Sequence, residues 1–235
     1  MTTPPREEFK PQKPRAFSND YIHRWNVHEE IANSITHFVG VLLGIAALVI
    51  MIIEASIYQS VEGIVASIIF GASIIVSYVS SVIYHAVLAP KIKYFFRIMD
   101  HCCIYLLIAG SYTPFALVTL RGPLGWTLFG IIWGIALVGI ILKFNYVGKY
   151  EMLSTILYVL MGWIAVAVSV QLFEHLQLGG IIWLVIGGLT YTIGVIFFIY
   201  ERVPFFHTIW HLFVLAGSIC HFFCISLYVL PYPPG

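Results

Sequence analysis

The sequence predicts an all-α integral membrane protein, a bundle of seven transmembrane helices with its N-terminus in the cytoplasm and its C-terminus outside. Three observations predict this fold. The 235 residues are 60% hydrophobic and 10% charged, whereas about a quarter of a soluble domain is charged. Seven apolar runs each reach the roughly 20 residues that a membrane-crossing helix needs. Lysine and arginine concentrate in alternate connections between these runs.

Residues that begin or end helices separate the runs. Pro90 follows the second run, Arg121-Gly122-Pro123 separates the third from the fourth, and Gly179-Gly180 opens the sixth. Pro204 suits the first turn of the seventh, where no backbone N–H is needed, and Pro114 is expected to kink the third. The runs cover residues 35–57, 64–88, 98–120, 124–142, 152–173, 181–200 and 205–230.

The composition also predicts the character of the N-terminal tail, of the partners and of the cysteines. Residues 1–27 are polar and rich in proline, which predicts a flexible cytoplasmic tail before a transmembrane domain at 28–230. This tail lacks the apolar core of a signal peptide, so the first helix is expected to direct insertion. The net charge of +1 gives no reason to expect a nucleic-acid partner. Four cysteines lie in apolar runs and are expected to be small buried hydrophobes, Cys102, Cys103, Cys220 and Cys224.

The orientation follows from the basic residues. With the N-terminus inside, eleven of the twelve lysine and arginine residues fall on the cytoplasmic side, and Arg121 alone falls outside. Such a bias is the usual mark of cytoplasmic segments. The expected protein is therefore a multi-pass protein of a cell membrane. The same topology brings eight polar residues near the cytoplasmic face, Glu30, Asn33, His37, Ser81, His85, Asp100, His207 and His211.

Three of these histidines have a spacing that suits a metal ion. His207 and His211 stand at i and i+4, which puts both rings on one face of a helix. The alternative is an interfacial pair that reaches toward lipid headgroups. His85, on another helix, would complete a site of three imidazoles with one open position. That is the pattern of catalytic zinc, since structural zinc has four protein ligands.

Asp100 and Ser81 are candidate catalytic residues beside this site. Asp100 could orient or deprotonate a water, and Ser81 could form a hydrogen bond to that water or to a substrate. Asp100 has an alternative role as a helix cap or as an ion-pair partner of Arg97. The alternative for Ser81 is a hydroxyl bonded to its own helix backbone.

A polar stripe on the first helix is expected to contact the metal ligands. Glu30, Asn33 and His37 stand at i, i+3 and i+7, which share one face of a helix. Acidic residues also occur at ordinary helix starts, but a histidine two turns in suggests a supporting contact to the metal ligands. Two other histidines fit poorly. His101 points about 100° away from Asp100 around the helix, and His221 lies about 15 Å deeper than His211, where it is expected to line a cavity.

These motifs resemble those of the hemolysin III branch of the progestin and adiponectin receptor (PAQR) family. They are E-x-x-N-x-x-T-H at 30–37, S-x-x-x-H at 81–85 with Asp100 downstream, and H-x-x-x-H at 207–211. The resemblance covers nearly the whole chain from about residue 27 onward. It implies seven transmembrane helices with the N-terminus inside.

The resemblance also implies a zinc ion held by His85, His207 and His211, with a water near Asp100. It places the chain in a wider superfamily of membrane hydrolases that includes alkaline ceramidases. The hemolysin III name implies instead the lysis of red cells by pore formation.

Three functional hypotheses follow. The first is a zinc-dependent intramembrane hydrolase of a lipid amide or ester, ceramidase-like and of the bacterial hemolysin III type, in which Asp100 accepts a proton and Ser81 positions water or the oxyanion. The second is a membrane-lytic or pore-forming protein, although pore formers usually insert from a soluble state. The third is a membrane sensor or receptor that zinc only braces. An open metal position facing a lipid-sized cavity would favour hydrolysis, and a fourth protein ligand would favour bracing.

Overall fold

The computed structural model describes residues 26–146 and 150–231, and within these ranges the chain is helical and contains no strand. Nearly all of the predicted tail at 1–27 lies outside the described residues. The α-helices are α1 (Val27–Ile57), α2 (Val61–Ala86), α3 (Pro90–Pro114), α4 (Gly122–Tyr146), α5 (Glu151–Gly162), α6 (Ser169–His175), α7 (Leu178–Ile199) and α8 (Phe206–Cys224). Two π-helical stretches, Phe115–Leu120 and Ile225–Val229, continue α3 and α8, and a 3₁₀-helical stretch, Ile164–Val168, links α5 to α6.

These helices form seven spans that are long and apolar enough to cross a membrane, which confirms the predicted fold class. The first and third spans, Val27–Ile57 and Pro90–Leu120, have 31 residues each. At 1.5 Å per residue each is about 46 Å long, against a hydrocarbon core of about 30 Å. Both helices therefore extend beyond the hydrocarbon region, and charged residues in the first turns of α1 and α3 can lie closer to water.

The first two helices pack closely because glycines of α1 face bulky side chains of α2. A Cβ at Gly40 would lie 2.6 Å from the Tyr78 ring, and a Cβ at Gly44 would lie 2.7 Å from Ile74. Only glycine allows this approach, as in other membrane helix pairs. Tyr78 also donates a hydrogen bond to Ser218 Oγ of α8 at 2.7 Å. Helix α2 is thus held against both α1 and α8, the helices that share its polar end.

Two prolines lie at other positions relative to the helix starts than the sequence predicts. Pro90 is the first residue of α3, well before the predicted start at 98, because its fixed φ and missing N–H suit that position. Asp100 therefore lies inside α3 and not at its beginning. Pro204 precedes α8, which begins at Phe206 after a left-handed Phe205 with φ 63°. The prediction that Pro204 occupies the first turn of this helix is wrong, since the αL residue Phe205 separates it from the helix.

Two spans change helix type within the membrane. At Pro114, where the sequence predicts a kink, the α-helix gives way to a π-helical stretch, since proline removes one backbone donor. The fifth span breaks after Gly162, which the sequence does not signal. Tyr112 Oη donates to Gly162 O at 2.7 Å and accepts from the Ala165 N–H at 2.8 Å. A side chain of α3 thereby satisfies backbone groups that the break leaves free.

Candidate metal centre

Three histidines from two helices converge at one end of the bundle. His85 lies in the last turn of α2, and His207 and His211 lie in the first turns of α8 on one face. One ligand nitrogen of each lies within 4.8 Å of the other two. All three residues are buried, with exposed fractions of 2%, 7% and 1% in that order. The three predicted ligands are therefore placed to bind one metal ion.

An ion-paired carboxylate orients His85. Glu30 Oε2 lies 2.8 Å from His85 Nδ1, and Glu30 Oε1 lies 3.0 Å from Lys93 Nζ. Lys93 is buried and also donates to the Tyr84 carbonyl oxygen at 3.0 Å. That carbonyl belongs to the last turn of α2, where a cation suits the helix dipole. Because Nδ1 faces the carboxylate, Nε2 is the His85 nitrogen available to a metal ion.

Two further residues of α1 approach the histidines. Asn33 is completely buried, with Nδ2 3.5 Å from His85 Nδ1 and with Oδ1 accepting a hydrogen bond from Thr208 Oγ1 at 2.5 Å. Thr36 Oγ1 lies 3.5 Å from His211 Nδ1. The polar stripe predicted on the first helix thus faces the metal centre and contacts both α2 and α8.

His207 has a carboxylate neighbour of its own. Glu201, in the connection before α8, has Oε2 3.4 Å from His207 Nδ1. Burial raises the pKa of the Glu201 carboxyl, but its interaction with His207 and the charges of Arg97 and Arg202 lower it more. The net pKa lies below its ordinary value, so Glu201 is ionised at neutral pH. Two of the three histidines therefore face a carboxylate, as metal-binding histidines commonly do.

Comparison with known proteins shows the family of this chain. A family model described as haemolysin-III related matches residues 25–222, a range that contains every candidate residue of the site. The chain belongs to the haemolysin-III related family. This result confirms the predicted membership of the hemolysin III branch of the PAQR family.

Relatives of the haemolysin-III related chain occur in bacteria and animals. The chain is 49% identical over 205 residues to Hemolysin-3 of Bacillus cereus, covering 87% of this chain and 94% of the relative. It is 46% identical over 209 residues to the Hemolysin-3 homolog of Bacillus subtilis (strain 168), covering 89% and 98%. It is also 32% identical over 171 residues to the Monocyte to macrophage differentiation factor of Homo sapiens, covering 70% and 71%. The bacterial relatives and the seven spans support a multi-pass cell membrane protein.

The other candidate residues surround the histidines in this haemolysin-III related protein. Asp100 lines an internal cavity of about 110 Å³ together with His207 and His211, and it lies near the buried Ser81 hydroxyl. The His37 ring stacks on His211 with centroids 3.6 Å apart and planes 12° from parallel. The predicted proton acceptor, the hydroxyl and the supporting histidine are thus all adjacent to the three ligands.

The donor set fits zinc. Imidazole nitrogens are common zinc ligands, and His85 Nε2 is buried without a hydrogen-bond partner in the part of the chain that the structure describes. A bound cation would remove the cost of that unpaired atom. Among the same residues, the group that could hold a metal has no fourth histidine, cysteine, aspartate or glutamate. A tetrahedral ion would therefore keep one open position, as catalytic zinc does.

Sequence reasoning missed three contacts of the centre, those of Lys93, Glu201 and Thr208. Each of these residues acts on a partner in another helix or connection, and spacing within one helix gives no signal for such contacts. The structure leaves His101 out of the metal-binding group. His221 lines the internal cavity at a deeper level, as the sequence suggests.

Proposed function

We propose that this protein is a zinc-dependent intramembrane hydrolase that cleaves a lipid amide or ester. One observation carries the proposal. Two of the metal-binding histidines and the carboxylate of Asp100 line the same internal cavity. Most of the other residues around that cavity are apolar or aromatic, which suits a lipid chain. A potential proton acceptor, an open metal position and an apolar-walled cavity therefore meet in one place.

Two approaches to the centre support this function. A second cavity of about 140 Å³ adjoins the first and includes Trp163 and Phe173, whose side chains are exposed on the outside of the bundle. A lipid can enter there from the bilayer. A third cavity, of about 120 Å³, borders His207 and is lined by Arg97 and Glu201. This polar space gives water a route to the centre.

Each residue of the site has its own role in the proposed reaction. Zinc held by His85, His207 and His211 would polarise the substrate carbonyl and activate water. Asp100 accepts a proton from the attacking water as the water oxygen bonds to the carbonyl carbon. The proton then passes to the leaving amine or alcohol as the C–N or C–O bond breaks. Ser81, beside Asp100, positions the water or the oxyanion.

The test is turnover of ceramide-like and glycerolipid substrates by purified zinc-loaded protein. We expect Asp100→Asn to retain zinc and fold but to lose about 10²–10⁴-fold in hydrolysis, the usual contribution of a general base. Ser81→Ala should cost roughly 1.5–3 kcal/mol, since it removes one hydrogen bond near a charge. Ser80→Ala, which removes the neighbouring buried hydroxyl on α2, is the matched control and should retain activity. Equal turnover by wild type and Asp100→Asn would exclude the proposed role of Asp100.

Membrane lysis is a second candidate because the Bacillus cereus relative is named Hemolysin-3. It predicts that the wild type releases dye from liposomes that contain no cleavable lipid, and that Asp100→Asn releases it equally. A zinc-braced sensor predicts neither lysis nor turnover, only lower thermal stability after zinc removal, because a ligand that binds the folded state stabilises it. Turnover that depends on Asp100 separates hydrolysis from both.

A further inference from the structure

The internal cavity continues from the metal centre toward the middle of the membrane. The first and second cavities share six wall residues, and these form a neck between an inner chamber at the histidines and an outer chamber beside the broken fifth span. The neck residues are Ser111, Tyr112, Gly162, Trp163, Gly188 and His221. The two chambers therefore adjoin at these residues, and together they form the passage between the histidines and the fifth span.

His221 is a polar neck residue that the proposed chemistry does not use. It lies ten residues beyond His211 on α8, about 15 Å along the helix axis, or about half the thickness of the hydrocarbon core. The residue is only 6% exposed. Its ring fits against α7 because residue 187 is glycine, where a Cβ would lie 2.6 Å from His221 Nδ1.

Hydrogen bonding fixes which nitrogen of His221 carries the proton. Nδ1 lies 2.8 Å from the Gly217 carbonyl oxygen, one turn earlier on α8. A carbonyl only accepts, so Nδ1 is the protonated nitrogen and Nε2 presents a lone pair. This is the one hydrogen bond of the ring among the described residues. The nearby Tyr191 hydroxyl is engaged with Ser218 Oγ at 2.9 Å.

We infer that His221 determines substrate specificity by accepting a hydrogen bond, at Nε2, from a hydroxyl in the middle of a long acyl chain. The inference rests on the proposed function for one point, that the acyl carbonyl or carboxylate lies at the metal centre. An acceptor buried among apolar walls is costly until a donor reaches it. A site built around a hydroxyl discriminates against the analogue that lacks it, because the buried polar group is then left unpaired. The ligand class is therefore a hydroxylated long-chain acyl lipid.

Binding of ricinoleic acid and oleic acid to the purified, zinc-loaded full chain in nanodiscs tests the inference. These acids differ only in a mid-chain hydroxyl, and neither can be hydrolysed further. The wild type should bind ricinoleic acid about five- to tenfold more tightly, the usual net value of one hydrogen bond. His221→Phe keeps a ring but removes the acceptor, so the two acids should bind this variant with equal affinity. His175→Phe alters an exposed histidine and should keep the preference.

A second pair of variants tests the passage itself. A Cβ at Gly188 meets no atom within 4 Å, so Gly188→Leu can extend into the neck without a clash at its first atom. It should weaken binding of both acids. Gly130→Leu also has free space at its Cβ and lies outside both cavities, so it should bind both acids like the wild type.

Three results would overturn the inference. The first is equal wild-type affinity for the two acids, which is expected if only water contacts His221. The second is a preference for ricinoleic acid that survives His221→Phe. The third is binding by Gly188→Leu as tight as that of the wild type. Failure of the proposed function is a separate result. Discrimination between the acids without hydrolysis of any lipid would end the hydrolase proposal and leave His221 as a lipid-selecting residue.

Discussion

At the scale of single residues, Glu30 connects His85, one of the three histidines placed to bind a metal ion, to a buried lysine. Its two carboxylate oxygens lie 2.8 Å from His85 Nδ1 and 3.0 Å from Lys93 Nζ. Taking a carboxylate out of water is costly, and two partners of suitable geometry offset that cost. The contact orients the His85 ring and would make Nε2 a stronger ligand for a bound metal ion.

We expect Glu30→Gln to weaken zinc binding by about 10–100-fold, the usual effect of removing such a partner. The substitution keeps the size of the side chain but removes the charge that favours the His85 ring as a donor. Competition with a chelator of known affinity measures the change. Glu62→Gln, at an exposed position near the start of α2, should bind zinc like the wild type. Unchanged affinity in Glu30→Gln would contradict the role given to this carboxylate.

Prediction from sequence works at this scale when residues share a helix. The i, i+4 spacing of His207 and His211 indicates their common face, and the spacing of Glu30 and Asn33 indicates theirs. It fails for Lys93, whose ammonium reaches Glu30 because α3 begins at Pro90, well before the predicted start at residue 98. No local pattern in the sequence carries that information.

At the scale of elements, the fifth span shows why helix breaks are hard to predict. Gly162 and Trp163 lie in an apolar run with no proline to end it. The break depends on Tyr112, a residue of α3 that bridges Gly162 O and the Ala165 N–H. Pro114 is different, since its missing donor can be recognised in the sequence, although the resulting π-helical stretch cannot.

Tyr112→Phe should therefore destabilise the protein by about 1–3 kcal/mol, because it leaves two backbone groups of the fifth span without their partner. Thermal unfolding in detergent should show a lower Tm. Tyr58→Phe removes a hydroxyl from a residue that is 47% exposed and should leave the Tm unchanged. Equal Tm values for the two variants would mean that Tyr112 does not hold the break.

At the scale of the whole molecule, the number of spans was predictable because the length of an apolar run is a property of the sequence alone. The order of the helices around the bundle could not be predicted. The cavity and the contacts between α1, α2 and α8 depend on that order, so they could not be predicted either. These depend on packing between distant residues, such as Gly40 against Tyr78.

The orientation remains a prediction that follows from eleven basic residues on one side and one on the other. On intact cells, Gly235→Cys should react with an impermeant thiol reagent, and Thr3→Cys should not. The four native cysteines are buried and should contribute little background. The opposite labelling pattern would put the metal centre at the outer face.

The central claim is that His85, His207 and His211 together hold one zinc ion, and the zinc content of the purified protein tests it most directly. The wild type should carry about one zinc per chain, since three imidazoles can hold an ion and leave one open tetrahedral position. His85→Ala, His207→Ala and His211→Ala should each lose most of it, and His175→Ala, at an exposed position, should keep it. Undiminished zinc in all three variants, or none in the wild type, would contradict the claim.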